Sequence, residues 1–271
     1  MKNKTKEIKL GLLSLLIVSL VSCSKIDTQQ QNNFEVLSNL AAWKLKLFDK
    51  GTSNWQKNWF KDGLISTVKQ SENGMNLIAG SANRDDAHHT VLWTKASFEG
   101  DIKIEYNYTR TDTQIINVNI LYIQAQGLGI ANFDKDISQW NSFREVPTMS
   151  TYYNYMTPLH ISYAAFPMVN DDPENDYLRV RKYPITNDKT FHQTEVEPTY
   201  FNTGLFLPNV TYKVTVIKTK SILHLNVEGG GENKLYSWPL SKDQSPQEGR
   251  VGLRHMYTRS AQYSDFSVYT K

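Results

Sequence analysis

Apolar and polar residues alternate with a period of two along much of the chain. Ile102 to Tyr108, Val118 to Gln124, Tyr212 to Ile217 and Ile222 to Val227 all show the spacing. A strand buried on one face requires this pattern, because successive side chains point to opposite sides. Turn residues such as Lys220-Ser221 and Gly229-Gly230-Gly231 separate these runs. Helical spacing is confined largely to Phe34 to Leu47, so a helix is predicted there and strands over most of the remaining chain. No repeat of fixed period and no second linker occurs beyond Phe34, which implies one domain.

The ends of the pattern differ from its middle. Four lysines, Lys2, Lys4, Lys6 and Lys9, precede an apolar stretch from Leu10 to Leu20, and Leu20-Val21-Ser22-Cys23 comes immediately after it. The stretch is too short to span a bilayer comfortably, and small residues before a cysteine suit a lipoprotein signal peptide. Residues 1–22 are therefore expected to be removed and Cys23 to be lipidated. Residues 23–35, with Gln29-Gln30-Gln31, are expected to form a flexible tether, and 36–271 the folded domain. Cys23 is the only cysteine among 271 residues, so no disulfide forms within the chain and packing must supply stability. Lys and Arg number 30 and Asp and Glu 27; without the four lysines and Glu7 of the leader, 26 face 26. A neutral mature chain excludes broad phosphate-backbone binding, and nucleic acid is not an expected partner. A local arginine cluster can still grip one anion.

The final segments run through a Tyr-x-Val-x-Val strand at Tyr212, a return through Leu223-His-Leu-Asn-Val227, then Gly249-Arg-Val-Gly-Leu253 and Tyr263 to Val268. Their order resembles the C-terminal half of concanavalin-like jelly rolls, all-β sandwiches of two stacked antiparallel sheets whose concave sheet forms a groove suited to an extended glycan. The runs Thr151 to Met156, His160 to Tyr163, Asp176 to Tyr183, Tyr200 to Phe206 and Gly252 to Ser260 resemble the bacterial DUF1961 family over nearly all of the mature chain. The resemblance implies a jelly roll associated with breakdown of uronic-acid-containing plant or algal polysaccharides. It supplies no mechanism.

Candidate chemistry comes from histidines and arginines. In a strand, His160 and Ser162 share one face while Ile161 and Tyr163 share the other, so His160 is expected to face the groove as an acid or base. Taken alone, a structural histidine is the commoner outcome. Arg179 and Arg181 share a face of one strand, and His255, Tyr257 and Arg259 are read as sharing a face of another. A guanidinium pairs bidentately with a carboxylate, which positions a uronate and draws charge from its C5 proton. These residues form the expected catalytic set for β-elimination, with base at C5 and acid at the oxygen leaving C4. Surface ion pairing is the competing account of the arginines, and Arg259 could equally cap the sandwich edge.

A retaining or inverting hydrolase needs two carboxylates at a defined separation. Glu195-Val-Glu197 is followed by Pro198 and reads as solvated loop charge, so a hydrolase ranks last. Asp85, Asp86 and His88 read as a polar turn, and Asp171 to Asp176 as a plain loop, so no metal and no cofactor are expected. Trp140, Tyr152 and Asn154, flanked by polar residues, are the expected sugar-binding surface together with Arg254. The expected function is a lipid-anchored carbon–oxygen lyase, a monomer acting on uronate oligosaccharides with water or a glycosyl group leaving. A non-catalytic glycan-binding lipoprotein is the alternative. Only Asp27 is acidic in the residues just after Cys23, which predicts a periplasm-facing envelope anchor.

Overall fold

The computed structural model describes residues 28–39, 41–167, 175–185 and 188–271. The leader and Cys23 lie outside the described residues. Within the stretch expected to be a flexible tether, residues 28–38 form a helix, α1, closed by the Asn39 amide on the Glu35 carbonyl. Helical spacing from Phe34 to Leu47 is thus only half realised: Lys44–Asp49 is a strand, β1. Its pairing with the C-terminal strand buries Leu47 and Asp49, and this tertiary ladder overrides the local spacing. Residues 1–41 and 42–271 are separate units.

The larger unit is an all-β sandwich of two eight-stranded antiparallel sheets, the predicted class. The strands in chain order after β1 are β2 (Trp59–Asp62), β3 (Thr67–Ser71), β4 (Gly74–Ile78), β5 (Thr90–Thr94), β6 (Phe98–Glu99), β7 (Ile102–Arg110) and β8 (Asn117–Ala125). They continue as β9 (Leu159–Phe166), β10 (Tyr177–Lys182), β11 (Glu195–Phe201), β12 (Thr211–Lys218), β13 (Ile222–Gly229), β14 (Glu232–Pro239), β15 (Glu248–His255) and β16 (Ser260–Thr270). One sheet is ordered β14-β13-β12-β7-β16-β4-β3, with β1 also on β16. The other is ordered β11-β10-β9-β8-β15-β5-β2, with β6 also on β15. Long-range neighbours such as β7 beside β16 are what a jelly roll demands and what no local propensity encodes.

Between the sheets lies one apolar core, fed by every second residue. In β7 the buried set is Ile102, Ile104, Tyr106 and Tyr108, with Lys103, Glu105 and Asn107 turned outward. β9 and β10 contribute Ile161, Tyr163, Leu178 and Val180. A second apolar cluster covers the other face of the second sheet. There Val91, Trp93, Ile120 and Tyr122 of the sheet meet Ile137, Trp140, Tyr152 and Met156 of the excursion between β8 and β9. That excursion carries a 3-10 stretch, Ile137–Arg144, and a short helix α2, Met149–Tyr155.

Asp62 clamps the excursion to the sheet. Its Oδ2 accepts from Arg144 Nε at 2.7 Å, Trp93 Nε1 at 2.7 Å and the Tyr152 hydroxyl at 2.8 Å, while Oδ1 accepts from Asn141 at 2.6 Å. Arg144 spends its remaining donors on the carbonyls of Trp140 and Ile137. A fully buried ion pair is tolerable here because the carboxylate accepts four hydrogen bonds and all three guanidinium nitrogens donate.

Candidate functional site

β9 and β10 run side by side with Ser162 opposite Arg179 and His160 opposite Arg181. The alternation that buries Ile161, Tyr163, Leu178 and Val180 in the core sends His160, Ser162, Arg179 and Arg181 to the opposite face. There they meet a cavity of about 270 Å³. Met149 and Tyr153 of α2, Val118 and Ile120 of β8, and Tyr177 and Phe191 complete most of its wall. The cavity is apolar with a few convergent polar groups, the usual make-up of a small-molecule site.

The charge of the cavity is set by three side chains. Glu195 Oε2 is 3.1 Å from Arg179 Nε and 3.4 Å from Arg181 Nη2. One carboxylate therefore serves two guanidiniums, and the cluster keeps a net positive charge. Glu195 stands in β11, so it is a structured counter-ion and not the solvated loop charge that its neighbours suggest. Arg181 is also held by the Phe191 carbonyl at 2.8 Å and lies over the Phe191 ring. Arg179 binds through Nε alone, to Glu195 and to Thr199 at 3.1 Å, with its ion lying over the Tyr177 ring. Among the described residues the planar end of Arg179 has no hydrogen-bond partner, and Arg179 is part of the cavity wall.

His160 is buried and bound on both nitrogens, to the Tyr183 hydroxyl at 2.6 Å and to Ser162 Oγ at 2.7 Å. Burial, then the charges of Arg181, Arg254 and Arg179, hold its pKa well below the ordinary imidazole value. It is neutral at pH 7. Burial likewise raises the Tyr183 phenol well above its ordinary value, with nearby Tyr122 adding to the rise.

The rest of the expected catalytic set lies elsewhere. His255 points between the sheets, bonded to the Tyr263 hydroxyl at 2.8 Å. Burial and Arg259 push its pKa down to about 3. Strand β15 ends at His255, and the turn after it, with Thr258 at φ 65°, breaks the alternation that would align Tyr257 and Arg259 with it. Tyr257 stacks on His89 at 5.2 Å. Arg259 binds Asp112 at 3.1 Å and the Ala164 carbonyl at 2.8 Å, tying β16 to the ends of β7 and β9. It acts as an edge clamp.

The expected sugar-binding surface fares similarly. Trp140 is buried, donating to the Asp134 carbonyl with the Arg144 ion over its ring. Tyr152 is buried against Trp93 and Tyr122 and bound to Asp62. Arg254 faces the excursion but is sealed under Tyr152, donating to His89 and to the Pro147 carbonyl. Asn154 of α2 is half-buried and is not part of the cavity wall. The residues that do form the wall had a usable signal in part. Tyr177, Arg179 and Arg181 are spaced by two, and Tyr153 is the helical neighbour of Met149 one turn on.

No family model matches the chain. A curated relative, Protein TIC 214 of Phaseolus vulgaris, is 21% identical over 160 residues, which is 59% of this chain and 9% of that protein. The chain thus spans only a small part of it. Among solved structures the chain is similar to a Bacillus subtilis protein of unknown function with a galectin-like fold, at TM-score 0.62 and 18% identity, covering 84% of this chain and 97% of the other. Lectin II from Ulex europaeus aligns at TM-score 0.54 and 8% identity over 82% and 96%. The exoplasmic/lumenal domain of VIP36, in a form bound to Ca2+ and Man3GlcNAc, aligns at 0.51 and 10% over 83% and 91%. The sandwich is therefore a jelly roll of the galectin and legume-lectin kind.

Proposed function

We propose that the protein binds the acidic end of a short oligosaccharide, a uronate or sulfated sugar, in the cavity between β9, β10 and α2. The observation that carries this is the pair Arg179 and Arg181 sharing the single counter-ion Glu195, on the sheet face that apolar rings otherwise line. Structures of similar fold include a lectin and a domain in a Man3GlcNAc-bound form, and a guanidinium fork matches a carboxylate. Calorimetric titration with ulvan and pectin fragments tests it. Wild-type protein binds the acidic fragments and ignores neutral ones of equal length, and Arg179→Ala weakens binding by about tenfold, or about 1.4 kcal/mol. Failure of every acidic fragment to bind would overturn the proposal.

One specific observation favours a second, catalytic reading as a carbon–oxygen lyase. The hydrogen-bonded chain Tyr183–His160–Ser162 opens on the cavity beside the arginines and offers a path for a proton. In that reaction solvent water takes the C5 proton of the bound uronate as the C–H electron pair forms the C4–C5 double bond, and the Ser162 end of the chain supplies the proton to the departing oxygen. The C4–O bond breaks, and the departing oxygen takes a proton to leave as water or as a sugar alcohol. Mass-resolved products separate the readings: unsaturated uronate marks the lyase, unchanged glycan marks the binding protein. In both readings Cys23 carries a lipid and the domain works at the cell envelope, as the lysine-rich leader, the apolar stretch and Leu20-Val21-Ser22-Cys23 suggest. Cys23→Ala protein then fractionates as soluble, and protease added to intact cells spares the periplasm-facing domain.

A further inference from the structure

The direction of the Tyr183–His160–Ser162 chain is set by its surroundings. His160 is neutral and carries one N–H, so one of its two bonds is donated and the other accepted. The Tyr183 hydroxyl is buried, its hydrogen-bond partner among the described residues is His160 Nδ1, and Arg254 and Arg181, whose charges act on it, have no acceptor to offer. Its proton has His160 Nδ1 as partner, and the histidine N–H is then on Nε2, donated to Ser162 Oγ. Ser162, 4% exposed and part of the cavity wall, is left with its own O–H to donate into the cavity.

Other polar groups of the wall add donors. Arg179, whose Nη donors have no partner among the described residues, is part of the wall, and so is the buried Asn117, whose Nδ2 has none either. Glu195, the nearby carboxylate, is taken by the two arginines. A ligand that donates hydrogen bonds would leave these donors unpaired, at the cost of a buried unsatisfied group for each. We infer that Ser162, aimed by the Tyr183–His160 relay, is a specificity-determining donor, and that with Arg179 and Asn117 it selects an oxyanion, the carboxylate or sulfate of the bound sugar, over its neutral ester or alcohol. The inference rests on the glycan-binding reading. It also assigns His160 as a positioning residue whose resting tautomer gives protons toward the cavity and does not take them.

Two measurements test it on the full chain. Nitrogen-15 NMR of the imidazoles in wild-type protein reads the tautomer, and His160 is expected to be protonated at Nε2. Titration with glucuronate, its methyl ester and glucose 6-sulfate reads selectivity: wild-type protein binds one or both anions and not the ester. Ser162→Ala loses about tenfold in anion affinity while its imidazole spectrum outside His160 is unchanged. Glucuronate binding without sulfate binding identifies a uronate site, and the reverse a sulfate site; either supports the inference. An Nδ1-protonated His160, or anion affinity unchanged in Ser162→Ala, overturns the relay while the glycan reading stands. A wild-type protein that binds no acidic sugar overturns both.

Discussion

Between pH 7.5 and pH 5 the protein is expected to lose most of its stability. His89, His160, His224 and His255 are buried and neutral in the fold. Burial, with Arg254 second, takes His89 to about 3; burial takes His224 to about 4. His255 is held at about 3 and His160 well below its ordinary value. In the unfolded chain each imidazole takes a proton near pH 6.5, and in the fold it does so only far lower. As pH falls below 6.5 the unfolded state therefore binds more protons and is stabilised relative to the fold, until the native groups titrate, near pH 3 to 4 for His89, His224 and His255. Each histidine contributes about 1.4 kcal/mol per pH unit in that window, so four give on the order of 8 kcal/mol by pH 5. That is comparable with the whole stability of an ordinary domain, about 5 to 15 kcal/mol. Urea unfolding followed by tryptophan fluorescence at the two pH values measures it. His224→Gln should lower the proton uptake on unfolding by about one, and an unchanged urea midpoint at pH 5 would refute the account.

Asp62→Ala is expected to be the most damaging single substitution. It removes the acceptor of Arg144, Trp93, Tyr152 and Asn141 at once and leaves the Arg144 ion buried without a counter-charge. Breaking such a pair costs about 3–5 kcal/mol, and the orphaned Trp and Tyr donors add to it. For a domain of this size that is a fall in Tm of about 10 °C or more. The excursion that Asp62 clamps carries Met149 and Tyr153 of the cavity wall, so acidic-glycan binding should fall in the same variant. The double variant Asp62→Leu with Arg144→Met removes both charges and should recover part of the stability, because the desolvation cost disappears with the pair. Thermal melts of the three proteins decide this; a single variant as stable as wild type would show that the clamp is not what holds the excursion.

Strand content, the sandwich class and the pairing of faces within β9 and β10 were legible in the order of residues. The reason is local geometry: an alternation of two fixes which side chains share a face, so His160 with Ser162 and Arg179 with Arg181 could be placed before any partner strand was known. The same rule misled at His255. Val251, Leu253 and His255 share the core-facing parity of β15, but extending the count past the strand end grouped His255 with Tyr257 and Arg259 across a turn that resets the phase. Only the tertiary structure decided that Arg254 is sealed beneath the β8–β9 excursion and that Tyr152 and Trp140 of that excursion are packed against the sheet. That excursion is irregular, with no long period to read, and it is held by a carboxylate about 80 residues away in sequence. Tertiary pairing also made Lys44–Asp49 a strand and seated Glu195 between two arginines. Residue order determines the faces of each element, through bond geometry. Which face meets water, apolar cover or an opposite charge is fixed by contacts between elements remote in the chain.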